Sequence, residues 1–523
     1  MSLFRKLTSV AAAALIAGAG VAPPSIAAAA SGGGFSVSGK GGPFIKRVAD
    51  RKFEAGGGAQ GMGLADAISQ GQFQSARLHM PQTEAKVAAL LSRIETNWPY
   101  AKTQPVRVYI VGIDYYSAYA LPDGSIMVGF GLLDQAQSDD EVAFVLSHEL
   151  GHIRLGHFAR SESSGKRRAG LAALGALYVA GSAYQGGGVG GLAMAAANPA
   201  QIAAGRRAQA TSDFLGFLTN AMVEPSWSRN QEDEADALGF DLSEMAPYAA
   251  ESASARVFDT IQADTENRKA TNAALEAQLK KELGNAAVDT ARSAASGGGL
   301  GGLGKGLLMG AGRVAITMAA SGDGGPKHRP PEARKKGIAD YSAEAYPEGL
   351  PLREEQAAWL KDVRGSHEYA DARIAVQSVR AAMKLRASGD YAGAEREVAK
   401  ASATSFGGAP MVINEQAHIR DDMGDTATAD TLFRRAHQSP DQTLDGYEDH
   451  ARMLYRAGQS EPALAIIREG VARFNNDEKP FLALLVAANR QAGHKDEASR
   501  YFKICMAQND ADLKKDCQQM AAA

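Results

Sequence analysis

The chain has 523 residues, 45% of them hydrophobic and 22% charged, and 56 Lys and Arg against 59 Asp and Glu leave a formal net charge of −3. That length leaves room for two or three domains, and the composition is that of an ordinary soluble globular protein. A balance so close to neutral argues against nucleic acid, or a strongly charged substrate, as the partner.

Arg5 and Lys6 precede an apolar stretch from Val10 to Val21, then Pro23-Pro24 and a small-residue run from Ala27 to Ala30. This order predicts a secretory signal peptide over residues 1–30, cleaved near Ala28–Ala30. No cysteine follows the apolar run, so a lipoprotein anchor is not expected; a retained membrane anchor is the alternative.

Ser138-Asp139-Asp140-Glu141 predicts a helix start, with a capping residue and acidic side chains where the helix dipole favours them. Val142, Val145, Leu146, Leu150 and Ile153 continue it as an apolar stripe. Within this helix lies His148-Glu149-Leu150-Gly151-His152. Residues four apart share a helix face, so His148 and His152 can hold one metal ion, and Glu149 can reach a water bound to it. Two imidazoles, a carboxylate base and an open coordination position are what zinc-dependent peptide hydrolysis needs. Zinc would lower the pKa of its water toward about 7, and Glu149 would pass the proton to the leaving amine.

The third ligand sorts the zinc peptidases. The metzincin spacing fails, because Gly156 and His157 each miss their slot by one residue in opposite directions. Between Ser228 and Asp236, however, Glu232 and Asp236 stand one helical turn apart. Glu232 would ligate the metal, and Asp236 would accept the spare N–H of a ligating histidine.

Two Gly/Ala-rich stretches flank this second helix. Residues 169–205 contain no charged residue and are interrupted by Gly186-Gly187-Gly188. The length would allow a membrane span, but alanine and glycine insert poorly, so the segment reads as an amphipathic or mobile lid able to touch a membrane surface. Residues 293–325 read as a second flap of low complexity.

At this point the chain resembles a known family. Ala118-Tyr119-Ala120-Leu121-Pro122-Asp123-Gly124, the strand Ile126-Met127-Val128-Gly129-Phe130, Gly131-Leu132-Leu133 and the two metal-site helices are similar to the gluzincins of the CAAX prenyl protease and HtpX type. The likeness covers roughly Arg107 to Gly239 and departs from the family at Ser117, where asparagine is usual. It implies one zinc per chain on His148, His152 and Glu232, with Glu149 as general base and acid and Asp236 behind the ligands. It also implies that Ile126–Phe130 borders the cleft, where an extended substrate adds as another strand. A later family element, a histidine with an arginine six residues on, matches His328 and Arg334, which would approach the metal or the oxyanion. Arg329 replaces the usual proline, and a basic, Pro-rich linker is the other reading of that stretch.

Beyond a linker over 341–370 the chain becomes repetitive. Gly389, Gly424, Gly458 and Gly493 recur about every 34 residues, the tetratricopeptide length, and each is followed five residues later by alanine: Ala394, Ala429, Ala463 and Ala498. Large residues (Val398, Phe433, Ile467, Phe502) and then small ones (Ala401, Ala436, Gly470, Cys505) follow in step. Four helical hairpins are expected from about Asp371 onward, stacked into a tetratricopeptide (TPR) solenoid that binds peptides or proteins. Cys505 and Cys517 are the two cysteines; they form a disulfide in an oxidising compartment, or remain thiols with Cys505 in a packing slot.

The expected fold is therefore α+β and mainly helical: a zincin-like domain over 31–340 with a small sheet, then an all-α array over 371–523. An export signal, a zinc peptidase and such an array together resemble the periplasmic BepA-like proteins. That resemblance implies a periplasmic endopeptidase in envelope and outer-membrane protein quality control. Its substrates would be unfolded or stalled envelope proteins, and the array would reach the outer-membrane assembly machinery. Two other readings stay open: a TPR chaperone or adaptor with a largely latent peptidase site, and a membrane-integrated protease of the CAAX type.

Overall fold

A computed structural model describes residues 35–48, 77–100, 106–121, 124–157, 227–267, 270, 329–474, 476–508 and 511–522. The expected signal peptide, both Gly/Ala-rich flaps, Pro122, Asp123 and His328 lie outside these residues.

The sheet-bearing part begins with α1 (Phe44–Val48), β1 (Arg77–Leu78) and α2 (Pro81–Glu95). There follow β2 (Val108–Val111), β3 (Ala118–Ala120), β4 (Ile126–Gly129), α3 (Phe130–Gln135), α4 (Asp139–Arg154), α5 (Arg229–Met245) and a helix over 250–267, α6. Rich in β-branched and aromatic residues, β2 and β4 pair in parallel from Val108 opposite Ile126 to Val111 opposite Gly129. β3 joins β4 as a hairpin partner, Tyr119 opposite Met127. Gly124, at φ 78°, makes the turn between them, in the left-handed region that glycine enters at least cost.

The strand order is β1-β2-β4-β3. This corrects the placement of Ile126–Phe130 at the cleft border. All four residues of β4 are buried between two neighbours, and Phe130 is already the first residue of α3. The uninterrupted apolar run Ile126-Met127-Val128 is the mark of a strand covered on both faces. Among the described residues, the edge strand beside β4 is β3. There Ser117 O and Leu121 N–H bond inward, to Gly129 N–H and Ser125 O, so the alternating backbone groups of Ala118 and Ala120 point outward.

After α7 (Pro331–Ala345), the stretch expected as a linker is built into the domain. Its backbone N–H groups at Gln356, Trp359 and Leu360 donate to Asp140 and Asp139 at 2.7, 3.0 and 2.8 Å, and Gln356 O accepts from Asp139 N–H at 2.7 Å. The acidic first turn of α4 thus has partners that the sequence did not reveal, and α8 (Ala358–Arg364) is fixed by them.

The remaining chain is all helical: α9 (His367–Ala387) with α10 (Tyr391–Ser402), α11 (Pro410–Asp422) with α12 (Thr426–His437), α13 (Leu444–Arg456) with α14 (Ser460–Arg473), α15 (Leu482–Gln491) with α16 (Lys495–Ala507), and last α17 (Ala511–Ala522). Between the helices of the four pairs stand Gly389, Gly424, Gly458 and Gly493, with φ of 82°, 91°, 76° and 83°. The alanines five residues later are all buried, as the repeat pattern requires. Arg386 is buried between Glu415 and Asp422, at 2.9 and 3.0 Å, which ties α9 to α11. Cys505 and Cys517 are disulfide-bonded and join α16 to α17.

The first helix of the array is docked on the sheet domain. Tyr369 stacks on Phe130 at 4.9 Å and donates to Asp134 at 2.8 Å, and Arg380 pairs with Asp114. Among the described residues no helix is long and apolar enough to cross a membrane.

Candidate metal centre

Two capped helices carry the site. Ser138 accepts from Glu141 N–H at the start of α4; at the start of α5, Ser228 and Gln231 form a reciprocal capping box. The helices cross closely because each has a glycine at the contact. Gly151 lies against Ala235, and Gly239 lies against the backbone of Ser147 and His148.

This approach brings three side chains together. His148 Nε2 and His152 Nε2 lie 3.1 Å apart, and Glu232 offers one carboxylate oxygen 3.9 Å from the first and the other 3.6 Å from the second. All three are buried or nearly so. Behind His148, Asp236 Oδ1 stands 2.9 Å from Nδ1, which assigns the proton to that nitrogen and leaves Nε2 with a lone pair. Behind His152, Nδ1 meets His157 Nδ1 at 2.8 Å, and His157 Nε2 lies 3.3 Å from Glu234.

The donor set fits a zinc ion. Two imidazole nitrogens and a carboxylate on one side of a cleft leave a fourth position open, the pattern of catalytic rather than structural zinc. The two Nε2 atoms, 3.1 Å apart, and the Glu232 carboxylate converge closely enough for one cation to be held among them.

Arg334 forks onto Asp236 with bonds of 2.8 and 2.6 Å and lies 3.6 Å from Glu232. Burial would raise the Asp236 pKa, but the Arg334 charge and the bonds from Arg334 and His148 hold it well below the usual carboxylate range. Burial likewise works against charge on His148, and Asp236 outweighs it and raises the imidazole pKa. Arg334 therefore stands behind the ligand cluster and fixes Asp236, although it also lines the cleft.

Glu149 points to the opposite side. Its Oε2 accepts from Ala120 N–H on the edge strand at 2.7 Å. The cleft around the cluster is lined by apolar side chains such as Val257, Phe258, Ile261 and Trp227 and by polar ones such as Ser117, Asp264 and Thr265. Sequence reasoning missed His157, Glu234 and Trp227. The signal available was Gly156-His157 just past the helix, together with an aromatic one residue ahead of the Ser228 cap.

Residues 81–262 match the model of Peptidase family M48. Metalloprotease YcaL of Escherichia coli (strain K12) is 29% identical over 138 residues, 26% of this chain and 44% of the relative. Metalloprotease LoiP of the same organism is 30% identical over 139 residues, 27% and 45% of the two chains. A beta-barrel assembly-enhancing protease of Yersinia pestis is 23% identical over 190 residues, 36% and 35%. The chain thus spans less than half the length of the curated relatives it matches. The matched segment contains both site helices, the sheet edge and the cleft wall, so the chain carries a peptidase M48 domain, and within it His148, His152 and Glu232 form a group that could hold a metal ion.

Proposed function

We propose that the protein is a zinc endopeptidase that cleaves extended segments of unfolded proteins laid along β3. The observation that carries this reading is the position of Glu149, between the His148/His152/Glu232 cluster and the backbone of the β3 edge strand. Bound zinc supplies a Lewis acid and a water of lowered pKa. The outward backbone groups of Ala118 pair with the substrate chain and fix its register against the cluster. Glu149 takes the proton of the attacking water and delivers it to the leaving amine, and the bond to Ala120 N–H holds the carboxylate in place between the two transfers. Asp236, backed by Arg334, keeps His148 in its ligating tautomer.

The four glycine-turned helix pairs support a tetratricopeptide array that binds substrates or partner proteins. Its docking through Tyr369 and Arg380 keeps that array on the domain that bears the cleft. The export signal expected from the sequence supports a periplasmic location. Likeness to a relative named as a beta-barrel assembly-enhancing protease supports envelope protein quality control, with unfolded or stalled envelope proteins as substrates and the outer-membrane assembly machinery as partner.

The test compares wild type with Glu149→Gln for zinc content and for cleavage of an unfolded protein. Wild type and variant should hold equal zinc, and cleavage should fall by about 10²- to 10⁴-fold in the variant. Equal cleavage by the two would refute the assignment.

A further inference from the structure

The ligand His148 is held from behind by a carboxylate, Asp236; the ligand His152 is held by another imidazole. Helix α4 ends at Arg154, and Gly156 at φ 64° turns the chain back so that His157 lands beside His152. A side chain at position 156 would be strained in that left-handed conformation. His157 is fully buried, and its carbonyl accepts from Gln231 Nε2 at 3.1 Å, which ties the turn to α5. The indole of Trp227 stacks on the His152 ring at 4.4 Å and 16°.

The order of hydrogen bonds then follows from one acceptor. Glu234 has only acceptor oxygens when ionised, so His157 Nε2 carries the proton that faces it at 3.3 Å. The neutral ring then has its lone pair at Nδ1, where it meets His152 Nδ1 at 2.8 Å. His152 must donate there, and its own lone pair is placed at Nε2, the atom that faces His148 and Glu232.

We propose that His157 and Glu234 form a positioning relay, Glu234 to His157 to His152, that selects the metal-binding tautomer of His152 and raises its donor strength. This rests on the metal-site reading above. His157 is not a ligand itself: it contacts His152 through the nitrogen on the far side of the ring from the cluster. Both metal-binding histidines are then oriented from α5, His148 by Asp236 and His152 by Glu234 through His157, while the same helix supplies Glu232.

The test measures the zinc dissociation constant of the full-length protein by competition with a chromophoric chelator, beside the melting temperature of the zinc-free form. His157→Ala and Glu234→Ala should each weaken zinc binding, the first by about 10- to 100-fold and the second by less. Glu234→Gln, whose amide oxygen still accepts from His157, should stay near wild type. The visible absorption of the cobalt-substituted protein should change in His157→Ala, since the ligand field at His152 changes. Dissociation constants within twofold of wild type for both alanine variants, with an unchanged cobalt spectrum, would overturn the relay. If His157→Ala does not fold, Glu234→Ala decides, because Glu234 is partly exposed and its loss leaves the core intact. Wild type that binds no zinc would instead refute the metal-site reading.

Discussion

Gly239→Ala is the sharpest test of how the centre is held. A Cβ at this position would lie 2.9 Å from His148 N and 3.0 Å from its Cα, against the 3.5–4.0 Å or so that nonbonded carbon atoms prefer. Backbone on both sides leaves no side chain to swing away, so α5 must retreat from α4 by about 0.5 Å. Alanine gains about 0.8–1 kcal/mol of helix propensity over glycine, and overpacking costs about 1–3 kcal/mol. The fold should therefore survive, with a zinc-free melting temperature only slightly lowered. Metal binding should not, because Glu232 and Asp236 are carried on the retreating helix and metal–ligand distances tolerate only about 0.2 Å. Zinc affinity should fall at least about tenfold, or ~1.4 kcal/mol. Gly151→Ala is the graded control: its nearest neighbours, in Ala235, stand at 3.3 Å, and its effect should be smaller. Zinc titration of the three proteins, with folding checked by circular dichroism, reads the result. Wild-type zinc affinity in Gly239→Ala would refute the claim that this helix contact sets the ligand geometry.

Two predictions concern the helical array. Burial lowers the pKa of His437 and of His450 to about 4, with the neighbouring His450 adding to the effect on His437. The folded value lies below the unfolded one of about 6.5, so stability is fully present above pH 6.5 and drains away as the pH falls toward 4, by at most about 3 kcal/mol per histidine. Denaturant unfolding at pH 7 and pH 4.5 should show this loss, and His437→Gln with His450→Gln should flatten it; an unchanged pH slope in the double variant would contradict the assignment. Reduction of Cys505–Cys517, which closes a loop of sequence separation 12, should destabilise the last three helices by about 2–3 kcal/mol. Faster proteolysis of α16 and α17 after dithiothreitol would show it, whereas identical digestion patterns would count against any stabilising role.

Local sequence determined much of this protein. His148, Glu149 and His152 share one helix, and Glu232 and Asp236 another, because a spacing of four residues fixes a common face whatever the tertiary context. The repeat was equally legible: a glycine that must adopt positive φ and an alanine that must let helices approach leave their identities in the chain. Tertiary structure decided what depends on contacts between distant segments. Strand order is one case, since a buried apolar strand reads alike wherever it stands in a sheet, and the edge strand proved to be Ala118–Ala120 rather than Ile126–Phe130. The supposed linker is another: polar in composition, it is fixed by backbone donors to Asp139 and Asp140 that no side-chain pattern records. The third is His157, whose place beside His152 depends on one left-handed glycine and on a glutamate 77 residues away. Periodicity is a property of neighbours along the chain, and the order of protons across a metal site is a property of neighbours in space.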